Sequence, residues 1–125
     1  MRNFVNNRIV GLPVKAWRWN FWVCVLAVLV LALIPMGPNI PTTGWDKGNH
    51  LLAFSVMAVL GCWAYPGRTI TVLVGLLAYG GLIEVLQSFT PYRFAEWGDL
   101  PADAMGLALG WVLKDLVQII TKAFP

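Results

Sequence analysis

Between Phe21 and Ile34 the chain carries no charge, and from Gly48 to Gly67 it again carries none. No other feature limits the fold as much. A membrane-crossing helix needs about 20 mainly apolar residues, and backbone polar groups at that depth must be satisfied within the segment. Two further apolar segments follow. Thr69–Thr90 is interrupted by Glu84 and Gln87, and Asp99–Ile120 opens on acids. The pattern predicts an all-α membrane protein, four transmembrane helices in one bundle, at roughly 17–36, 48–65, 69–90 and 99–120. Residues 1–125 form one domain. Only 12% of residues are charged, against about 25% in soluble domains.

The breaks between segments have their own chemistry. Pro35, Pro38 and Pro41 with Gly37 and Gly44 cannot continue a helix. Tyr65-Pro66-Gly67-Arg68 reads as a tight turn, and Pro91 closes the third segment. Pro101 falls in the first turn of the fourth, where proline is tolerated. Basic residues precede the first apolar run, but no small-residue cleavage site follows it and three more apolar segments lie downstream, so an uncleaved helix is expected rather than a signal peptide. Trp17, Trp19 and Trp22 are placed as its aromatic collar. Trp111 and Lys114 mark the far boundary of the fourth, the lysine snorkelling toward water.

Charge sets the orientation. The net charge is +3, and the cations cluster at the ends of apolar segments, which favours a membrane surface over nucleic acid. With the N-terminus inside, Arg2, Arg8, Lys15, Arg18, Arg68, Lys114 and Lys122 lie on the inner face, leaving Lys47 and Arg93 outside. The positive-inside rule then puts both termini in the cytoplasm of an inner-membrane protein. Cys24 and Cys62, both in apolar runs, read as small buried hydrophobes. A single His50 excludes zinc patterns that need two histidines from this chain. No metal site is assigned, and the cofactor is unknown.

The polar residues inside this apolar frame are the candidate site, because ionisable groups at membrane depth usually face a bundle interior or a watery cavity. Asp46, Lys47 and His50 open the second helix. Glu84 and Gln87 share a face of the third with Gly80 and Gly81, and Arg93 follows in the loop. Asp99, Asp103, Gly106 and Gly110 form one stripe on the fourth, at spacings of about 3–4 residues. Those glycines are assigned to close helix packing. At about 1.5 Å per residue, His50, Gln87 and Asp103 lie about 5 Å below their helix ends and Glu84 about 10 Å. Each residue also has a purely structural reading: Glu84 as a bundle-locking carboxyl paired with Lys47 or Arg93, His50 as a packing residue, Asp99 as an N-cap. What favours a site is the gathering of Asp46, Glu84, Glu96, Asp99 and Asp103 toward one pole, with Asp115 alone elsewhere.

Asp46-Lys47-x-x-His50, Glu84-x-x-Gln87, Arg93 and Asp99-x-x-Ala102-Asp103-x-x-Gly106-x-x-x-Gly110, in that order, resemble the VanZ-like family of small membrane proteins. Many members of that family carry Asn where this chain has Asp103. The resemblance implies an envelope protein, and the founding member is associated with resistance to the glycopeptide teicoplanin. It implies no settled reaction; together with the outward polar cluster it points to a binding or accessory role toward a membrane or envelope lipid, a glycopeptide or a precursor. Two other roles stay open. One is a membrane-embedded acid/base enzyme on a lipid-linked substrate, using Glu84 or Asp103 with His50. The other is ion-coupled transport, for which so small a unit requires a homo-oligomer.

Overall fold

The computed structural model describes residues 8–34, 46–90 and 99–123. A two-residue hairpin comes first, β1 (Arg8–Ile9) paired antiparallel with β2 (Leu12–Pro13). Four helices follow: α1 (Val14–Leu33), α2 (Asp46–Ala64), α3 (Thr69–Gln87) and α4 (Asp99–Ala123). They match the four expected segments, with shifted ends. The first helix begins three residues before the expected 17, immediately after Pro13. It stops at Leu33, and Ile34 is extended at φ −77°, ψ 156°, as the residue before a proline prefers. The third ends at Gln87 rather than at 90.

The hairpin was not legible in the sequence. Its turn holds Val10 at φ 52° and Gly11 at φ 80°, the double left-handed geometry of a two-residue hairpin loop. Glycine adopts it freely, whereas a β-branched residue does not. The indole of Trp17 donates to the Ile9 carbonyl at 2.6 Å, tying the hairpin to α1. Trp17 therefore packs inward, against Trp63 at 4.8 Å between ring centroids, while Trp19 and Trp22 are exposed as a collar requires. The α2–α3 turn matches its sequence signature. Arg68 N–H donates to the Tyr65 carbonyl, Pro66 holds the second position and Gly67 takes φ 80° at the third.

α1, α3 and the Leu100–Ala123 stretch of α4 are long and apolar enough to cross a membrane. The apolar stretch of α2, Gly48–Ala64, is shorter. α2 is also the most enclosed helix, burying Phe54, Met57, Ala58, Cys62, Trp63 and Ala64. A helix wrapped by its neighbours has less need of a lipid-matched length. Around it the usual polarity of a soluble protein is inverted. Glu84, Gln87, Asp103 and Ser55 are buried, while Val23, Leu26, Val30, Val74, Val112 and Ile119 face outward. An outer surface of this composition is stable against lipid tails, not water.

The closest packing joins α2 to α4, whose chains run in the same direction. A Cβ on Gly106 would lie 2.5 Å from the Leu51 carbonyl oxygen, and one on Gly110 2.5 Å from that of Ser55. Hydrogen at these two positions is what lets backbone meet backbone, one helical turn apart on each partner. Lys114 lies on the same helix with its stem buried and its ammonium 2.8 Å from the exposed Asp115 carboxylate. The cysteines are free, Cys62 buried and Cys24 half-buried.

Candidate functional site

Glycine also shapes the contact of α3 with α4. A Cβ on Gly80 would lie 2.5 Å from Asp103 Oδ2 and 3.2 Å from Phe54 Cζ. The missing side chain is thus the socket that receives the Asp103 carboxyl, which is completely buried. Gly81 does not share this role. A Cβ there meets nothing within 4 Å, because consecutive helical residues do not face the same neighbour. The expected packing set of Gly80, Gly81, Gly106 and Gly110 therefore reduces to three.

From α2, His50 Nδ1 lies 2.8 Å from Asp103 Oδ1. A buried carboxylate has a large desolvation cost unless paired and hydrogen-bonded. His50 supplies such a partner while keeping its own side chain 16% exposed. Phe54, one turn along α2, lies parallel to the imidazole at 7° with 6.4 Å between centroids, and its ring also borders Tyr79. Phe54 itself is almost fully buried, so this side of the pair is apolar. With Asp103 ionised, Nδ1–H donates to it and the basic lone pair of the ring is carried by Nε2.

Glu84 is fully buried on the same face of α3 as Gly80, one turn nearer the α3–α4 connection. Gln87 takes a different place. Its amide nitrogen donates to the Ala32 carbonyl of α1 at 3.0 Å, and Tyr79 O–H donates to the Val25 carbonyl at 2.6 Å. These two bonds clamp α3 to α1. The sequence grouped Gln87 with Glu84 by spacing and did not single out Tyr79 at all. Nothing in its local pattern marks a tyrosine for an interhelical bond.

The structure therefore brings His50, Asp103 and Gly80 together, with Glu84 a turn above and Gln87 bonded to α1. All stand at the end of the bundle where α1 and α3 finish and α2 and α4 begin. Asp46, Lys47 and Asp99 fall in the first turns of α2 and α4, their side chains outside the described residues, and Arg93 lies wholly outside them. Among the described residues no group of three or more His, Cys, Asp or Glu side chains is placed to hold a metal ion.

Neither the curated proteins nor the solved structures contain a match to the chain. The family model described as VanZ/LLP1 matches residues 6–118, from the hairpin to the last third of α4. That match takes in α1 to α3, most of α4 and every residue of the buried cluster, and with the apolar outer surface it makes this chain a membrane protein belonging to the VanZ/LLP1 family.

Proposed function

We propose that all four helices cross the inner membrane with both termini cytoplasmic, so that the His50–Asp103–Glu84 end faces outward. In that position the cluster serves a binding or accessory role toward the polar head of an envelope lipid or a glycopeptide. The observation that carries this reading is the burial of Asp103 and Glu84, with Asp103 bonded to an imidazole that is still partly exposed. Acids held this deep in an apolar bundle mark function more often than packing. His50 is the group through which a ligand at the surface meets them. The charge asymmetry along the chain supports the orientation.

The test is a set of single variants, Glu84→Ala, His50→Ala and Asp103→Ala, expressed at wild-type levels in the native host. Teicoplanin susceptibility and envelope integrity are expected to shift in all three. Unchanged phenotypes with unchanged protein levels refute the role.

A second reading has one observation in its favour. A histidine whose Nδ1 is held by a carboxylate is the arrangement that orients a general base. On that reading the chain processes a lipid-linked substrate. Turnover of such a substrate by purified protein, abolished in His50→Ala, would favour this chemistry over binding alone.

A further inference from the structure

The opposite end of the bundle holds a second feature, unrelated to the buried acids. Between α1 and α3, toward the Tyr65–Arg68 turn, lies a groove of about 440 Å³ walled by Phe21, Val25, Leu76 and Tyr79. That volume is within the range of about 300–1,000 Å³ common to small-molecule sites. Above it α1 and α3 are clamped at Tyr79–Val25 and Gln87–Ala32. Gly75 faces this gap, and a Cβ there meets nothing within 4 Å.

Its mouth is cationic. Arg68 lines the groove and is exposed. Tyr65, also in the wall, carries the Arg18 guanidinium 4.8 Å from its ring centroid, and Arg18 Nε is held by the Ala64 carbonyl at 2.9 Å. The Tyr65 hydroxyl accepts from the Trp22 indole at 2.9 Å, which leaves its own proton to donate. Among the described residues, no acidic one lines the groove. An apolar slot ending at the Arg68 guanidinium and the Tyr65 phenol, with the Arg18 guanidinium behind on the Tyr65 ring, matches an amphiphile with an anionic head. Arginine pairs with phosphate through two parallel hydrogen bonds, and basic pockets between membrane helices bind anionic lipid head groups.

We infer that this groove binds one anionic glycerophospholipid, an acyl chain lying along Gly75 and the phosphate meeting Arg68 at the α2–α3 turn.

The experiment uses the full chain purified in neutral detergent and mixed with phosphatidylglycerol and phosphatidylcholine of identical chains. Native mass spectrometry then reads the lipid retained. Wild type is expected to hold one phosphatidylglycerol, preferred over phosphatidylcholine about fivefold, as one basic residue at a membrane surface gives. Arg68→Gln should equalise the two lipids. Gly75→Leu should expel both, since its Cβ enters open space and the rest of the side chain occupies the groove. Thr71→Trp, at an exposed position in the wall, is a second filler with the same expected result, and unfolding midpoints establish that each variant is folded. Equal retention of the two lipids by wild type overturns the proposal. So does retention unchanged in both fillers, or displacement by soluble glycerol phosphate, which would indicate a simple phosphate site. None of these readouts depends on His50, Asp103 or Glu84.

Discussion

Replacing Gly80 with alanine probes the socket at the centre of the site, and adjacent Gly81 supplies the control. The new Cβ at position 80 would lie 2.5 Å from Asp103 Oδ2 and 3.2 Å from Phe54 Cζ. Unstrained carbon contacts fall at about 3.5–4.0 Å, so the carboxyl must retreat by roughly 1 Å. Its other oxygen is 2.8 Å from His50 Nδ1, and that bond is stretched by the same movement. Overpacking of this kind costs about 1–3 kcal/mol. Against it stands the gain of up to about 1 kcal/mol that alanine brings over glycine in a helix interior. At Gly81 the same gain comes with no clash. The helix term cancels between the two variants, so Gly80→Ala should be less stable than Gly81→Ala by about 1–3 kcal/mol. Reversible unfolding in mixed micelles measures both. In an Asp103→Ala background the gap should shrink, because the group that meets the methyl is gone. Two variants within about 0.5 kcal/mol of each other, the ordinary scatter of independent sites, would refute the socket.

Three further outcomes follow from the packing. Gly106→Ala and Gly110→Ala each set a methyl 2.5 Å from a backbone carbonyl of α2. They should destabilise the bundle by at least about 1–3 kcal/mol, since backbone yields less than a side chain; wild-type unfolding curves would contradict the α2–α4 contact. Tyr79→Phe and Gln87→Leu each remove one bond to an α1 carbonyl. Each should cost about 0.6 kcal/mol and at most about 1.7, as interhelical bonds in membranes do, with α1 amides exchanging hydrogen faster. Val10→Gly relieves a β-branched residue at φ 52° and should stabilise the hairpin by about 1–2 kcal/mol, seen as slower proteolysis ahead of α1.

The amino-acid sequence by itself determined the element type, the number of helices and the breaks between them. Long apolar runs favour helices, which satisfy their own backbone hydrogen bonds, and proline and glycine act on backbone angles locally: Pro66-Gly67 forms the expected turn and Pro35 follows the end of α1. Spacing also placed His50, Glu84 and Asp103 at one end, because helical register is a one-dimensional property. Register does not say which neighbour a face meets. Whether Gly80 or Gly81 makes the socket, whether Gln87 turns to the acids or to α1, and whether Trp17 lies in the collar or under the hairpin depend on helix rotation and crossing. Those are fixed by the fit of all four helices at once. The groove at Gly75 is likewise a property of two helices held apart, and no residue in either one encodes it alone.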